Sequence, residues 1–78
     1  MADFQLWACI QQLGPQEFVV FVSTISNEES PPEGVQSSVD TGSAGSLAEA
    51  QAMMSRMMVE VGQRVVARGD RIVDVVDD

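Results

Sequence analysis

Chemistry in this chain must come from twelve carboxylates, one thiol and four guanidinium groups, because histidine and lysine are absent. A serine or cysteine nucleophile activated by imidazole is therefore excluded, along with the commonest base near neutral pH. Cys9 would need a different activator, and it stands in an alternating segment that makes it a packed or interface residue. Carboxylates can gather divalent cations for hydrolysis. Here Glu28 and Glu29 fall in a stretch of loop composition, while Asp74, Asp77 and Asp78 fall in a fraying terminal segment. Both groups read as solvated charge. The thioethers of Met53, Met54, Met57 and Met58 could ligate Cu(I), but no thiol or imidazole is near in sequence and core packing accounts for them. The expectation is a protein that is not an enzyme, with no metal and no cofactor.

The charge distribution narrows the partners. The formal net charge is −8, and every cationic side chain lies at Arg56, Arg64, Arg68 or Arg71. A nucleic-acid binder needs clustered cations to release counterions from phosphate, so direct nucleic-acid binding is excluded. An anionic membrane surface would repel the chain for the same reason. The longest apolar run, Phe18-Val19-Val20-Phe21-Val22, is too short to span a bilayer. With one cysteine and no secretory pattern, a soluble cytoplasmic protein is expected. Two recognition surfaces remain. Glu28, Glu29 and Glu33 would meet a basic partner protein, and Trp7 is the residue type that anchors protein interfaces. The alternative to a basic partner is a second copy, a homodimer formed through the Trp7 face.

The elements that must position these residues follow from periodicity. Phe4, Leu6, Ala8 and Ile10 alternate with Gln5, Trp7, Cys9 and Gln11, which predicts a half-buried strand over 4–12. Leu13-Gly14-Pro15-Gln16 has turn chemistry. A β-branched and aromatic run over 17–25 predicts a central second strand, paired with the first as a hairpin. Ser26 to Gly34, with Pro31-Pro32, reads as a mobile loop at about 26–34, and 35–41 as a polar edge strand. Gly42 to Gly45 would then lead into a helix. Ser46 and Glu49 stand at capping-box spacing, and Leu47, Ala50, Met54, Met57, Met58, Val61 and Val65 form one apolar stripe of a helix over about 47–68. Gly69 is the expected stop, Gly62 reads as a point of close packing on the sheet, and Arg56 is spaced to pair with Glu60. The run from Arg71 to Val76 reads as a last strand. The predicted fold is α+β: one domain over 1–78, a two-layer β-β-β-α-β sandwich. Its sheet is mostly antiparallel, the helix covers one face, and the last strand runs parallel to the first. Trp7 and Cys9 would line the face the helix leaves open.

The hairpin, the third strand and the helix start Gly45-Ser46-Leu47-Ala48-Glu49-Ala50 resemble the HicB-like antitoxin domain, a partial ribonuclease-H-type fold. In that family a helix opening with G-x-[ST]-x-x-E-A follows three strands and precedes a fourth. Glu49-Ala50 matches this opening, with the spacing from Gly45 one residue shorter. Where the family has a Pro-Asp-Leu-Pro-Gly-Cys-like turn, this chain has Ser26 to Gly34, and no aspartate stands in the expected first strand over 4–12. The resemblance implies the fold and an antitoxin-like role in holding a basic protein, and it carries over no specific functional residue.

Overall fold

The computed structural model describes residues 3–26 and 38–77, in the order β-β-β-α-β. β1 (Asp3–Gly14) and β2 (Glu17–Ser26) form an antiparallel hairpin. β3 (Ser38–Ala44) pairs antiparallel with β2, and β4 (Arg71–Asp77) runs parallel to β1. The sheet order β3-β2-β1-β4 puts the two most apolar strands at the centre. α1 (Leu47–Ala67) carries the chain from β3 to β4 and packs on one face. The fold is thus a mixed, mostly antiparallel four-stranded sheet with one helix against it. Among the described residues, no helix is long and apolar enough to cross a membrane.

A bulge sets which residues face the helix. The Pro15-Gln16 turn pairs Gly14 with Glu17. Continued unchanged, that register would put odd-numbered β1 residues opposite even-numbered β2 residues, and the apolar sets of the two strands would face opposite ways. A shift between Gln12 and Gly14 corrects this: Gln12 pairs with Phe18, Ile10 with Val20, Ala8 with Val22 and Leu6 with Thr24. Leu13 is the extra residue, and it is exposed. Leu6, Ala8, Phe18, Val20 and Val22 are then buried on one side, under Ala50, Met54 and Val61 of the helix. Phe4 and Val65 extend the core with Ile72 against them.

The helix begins and ends on chemistry visible in the sequence. Ser46 is extended, and its Oγ accepts from the Glu49 N–H at 3.1 Å. The Glu49 carboxylate accepts from the Gly45 N–H at 3.3 Å, one residue before the donor a capping box would use. At the other end Asp70 N–H donates to the Val65 carbonyl and Gly69 N–H to the Val66 carbonyl, a Schellman pair closed by Gly69 at φ +90°.

Four local expectations change. β3, described over Ser38–Ala44, continues to Ala44 rather than ending at 41, and positions 35–37 lie outside the described residues. Its end stays in the ladder because Ala44 pairs with Phe18 and is buried, and because Gly42 lets Met53 approach. A Cβ on Gly42 would lie 2.5 Å from the Met53 sulfur. Leu47 is exposed, since the first helical turn borders an open depression with Ile10, Gln12 and Asp77 instead of the core. Gly62 has no close neighbour: a Cβ there would meet nothing within 4 Å, because Val61 and Val65 occupy the sheet-facing side. Arg56 and Glu60 form no ion pair among the described residues; the neighbouring Arg64 reaches Asp40 of β3 instead. The loop expected at about 26–34 contributes Ser26 to β2 and otherwise lies outside the described residues.

Candidate functional site: the open sheet face

The face of the sheet turned away from α1 is built by the alternation that makes the core. Since Leu6, Ala8, Val20 and Val22 point to the helix, Trp7 and Cys9 of β1 and Phe21 and Ser23 of β2 point away from it. The register joins them in pairs, Trp7 opposite Ser23 and Cys9 opposite Phe21, with Ile25 opposite Gln5 beyond. On β3 the outward positions are Val39, Thr41 and Ser43, opposite Ser23, Phe21 and Val19. On β4, Val76 lies beside Trp7.

Trp7 is 40% exposed and Ile25 43%. The indole Nε1–H donates to the Gln5 side-chain oxygen at 3.0 Å, which orients the ring along its own strand. Between Trp7, Cys9, Phe21, Ser23 and Ile25 the surface sinks into a depression of about 200 Å³. This volume would hold about seven waters. Its lining is apolar apart from the Ser23 hydroxyl, so that water is weakly held.

The electrostatics of this face are its most distinctive property. Gln5, Trp7, Cys9 and Gln11 of β1, Val19 to Ile25 at alternate positions of β2, and Val39, Thr41 and Ser43 of β3 include no ionisable carboxylate or base. Charge stands at the margins, at Glu17, the exposed outward residue that opens β2, and at Asp74 of β4 beside Gln5. At one corner Arg71 donates to Asp3 at 2.6 Å and 3.2 Å, bridging β4 and β1. The Arg71 hydrogen bonds hold the Asp3 carboxyl below its ordinary pKa and raise that of the guanidinium. The remaining pairs lie elsewhere. Arg64 reaches Asp40 at 3.1 Å, and Arg68 bonds Asp70 at 2.7 Å while standing 4.9 Å above the Phe4 ring.

Of the residues the sequence singles out for partner binding, the structure places Trp7 at the centre of the open face. Glu28, Glu29 and Glu33 lie outside the described residues. Asp74 and Asp77 are exposed on β4, and the described residues contain no group of three or more histidine, cysteine or acidic side chains that could hold a metal ion. A second depression, about 490 Å³ at the β1–β2 turn, brings Glu17 and Glu49 to one end of the molecule. Glu49 there is engaged with the helix cap. Alternation in the sequence puts Trp7 and Cys9 together but does not specify Phe21, Ser23 and Ile25. Which β2 residues join them depends on the Leu13 bulge, whose one available signal is a glycine–proline turn one residue too short for matched faces. No protein-family model, curated protein or solved structure matches the chain.

Proposed function

We propose that this chain is a small non-catalytic protein-interaction module of the cytoplasm, where a lone thiol such as Cys9 remains reduced, and that its docking surface is the open sheet face. One observation carries the reading. Among the described residues, charge stands only at the margins of the open face, at Glu17, Asp74 and the Asp3–Arg71 pair, while its centre holds the only tryptophan of the sequence, exposed. Contiguous apolar surface of this kind marks an interface, and tryptophan is the residue most enriched among binding hot spots. The test is a photoreactive benzophenone side chain introduced at position 25, beside the depression, in living cells. Irradiation is expected to give a discrete protein adduct, while the same group at position 56 on the polar side of α1 gives none. Absence of a discrete adduct from position 25 overturns the reading.

A second reading, an antitoxin-like module that holds a basic protein, is supported by the net charge of −8 and by the β-β-β-α-β order shared with HicB-like domains. Three of the four arginines are already engaged by Asp3, Asp40 and Asp70, so they offset little of the remaining acidity toward a partner. Such a partner would be met at the acidic rim rather than on the uncharged face. Its binding would weaken steeply with salt.

A further inference from the structure

Resting on the reading that the open face is a docking surface, we infer that its occupant is a second copy of this chain. The two sheets pack face to face about a two-fold axis. An isologous interface requires a patch complementary to itself. Any charge near the axis would meet its own like charge, and the described residues at the centre of this face, around Trp7, Cys9, Phe21 and Ser23, carry none; Glu17, Asp74 and the Asp3–Arg71 pair stand at its margins. Its polar groups are the hydroxyls of Ser23, Thr41 and Ser43 and the amides of Gln5 and Gln11. Each of these both donates and accepts, so each can pair with the same group type on the other copy. At the centre of the face a basic protein would find no carboxylate to pair with, and a membrane no cation to bind its headgroups.

The dimensions agree. The four strands hold twelve, ten, seven and seven residues. At a rise of ~3.3 Å and a spacing of ~4.8 Å they present about 600 Å². With side-chain relief this approaches the ~800 Å² per partner of a standard stable interface. Packed sheets stand ~10 Å apart, which lets Trp7 of each copy reach across toward the other's depression beside Phe21 and Ile25. A domain of this size gains more from such cover than a larger one would, because its own core is small.

The solution mass from micromolar to millimolar concentration, with isotope-filtered cross-relaxation between labelled and unlabelled copies, tests the inference on the unaltered protein. A reversible dimer is expected, with intermolecular cross-peaks from the Trp7 and Phe21 rings. Trp7→Ala should weaken it at least ~30-fold, and Ser23→Glu, at a solvent-reachable position, should leave a folded monomer. Val59→Glu on the outer side of α1 should leave the dimer intact. A wild-type monomer throughout, another stoichiometry, or a dimer whose cross-peaks arise elsewhere overturns the inference. If a monomer nevertheless gives a discrete heteromeric adduct from position 25 in cells, the docking reading stands and the second copy alone is wrong.

Discussion

Thr24 is fully buried among apolar side chains, and its hydroxyl ties β2 to Ser38 of β3. Its Oγ1 lies 2.8 Å from the Ser38 Oγ and accepts from the Ser38 N–H at 3.2 Å, so one hydroxyl satisfies two groups of the incoming strand. Thr24→Val keeps the shape and strands both partners. The expected loss is about 1–2 kcal/mol by urea melt. Ser38→Ala added to that variant should cost little more, because the interaction is already gone; fully additive losses would show that the pair does not act as a unit. Asp3 and Arg71 make a pH-dependent counterpart. Because the folded pKa of Asp3 is lowered, the contribution of this pair is fully present above the ordinary aspartate pKa of about 3.9. It is lost only as the pH falls through the lower folded value. Arg71→Gln should therefore raise the pH at which the Asp3 carboxyl signal titrates. An unmoved midpoint would show that the hydrogen bonds are not made in solution.

Leu13 shows how one extra residue is absorbed without moving a face. Deleting it makes Gln12 the neighbour of Gly14, so the Gly14–Glu17 pair runs directly into the Gln12–Phe18 pair and both apolar sets keep their side. The deletion should therefore leave cooperative unfolding intact, and Leu13→Ser, at a position 59% exposed, should change stability by less than about 0.5 kcal/mol. A deletion variant that no longer unfolds cooperatively would show that the bulge does more than take up one residue. Local and long-range causes separate what could be read from the chain beforehand. Alternation over Phe4 to Ile10, the Ser46 cap and the Gly69 stop are local chemistry, and each is found within a residue or two of its expected place. The bulge, the extension of β3 to Ala44 and the exposure of Leu47 depend on neighbours distant in sequence: the need for matched faces, the Met53 side chain against Gly42, and the edge of the sheet beneath the first turn. The candidate site divides the same way. Trp7 and Cys9 share a face by period two alone, but their company with Phe21, Ser23 and Ile25 required the hairpin register.

The placement of charge separates the two partners this chain could serve. Two copies approaching face to face each bring a net charge of −8, and the described charged residues stand at the margins of the sheet face or off it rather than at its centre. The centre of the contact is uncharged, so salt acts mainly on the repulsion between the copies. Raising ionic strength from about 0.1 M to about 1 M shortens the Debye length from ~10 Å to ~3 Å and removes most of that repulsion. Self-association should tighten over this range. Binding of a basic protein depends on the attraction that salt screens, so it should loosen by an order of magnitude or more. Sedimentation equilibrium at the two salt concentrations reads the first effect directly. A dimer that weakens as salt rises would show that its interface uses ion pairs, and would move the contact from the sheet face to the acidic rim.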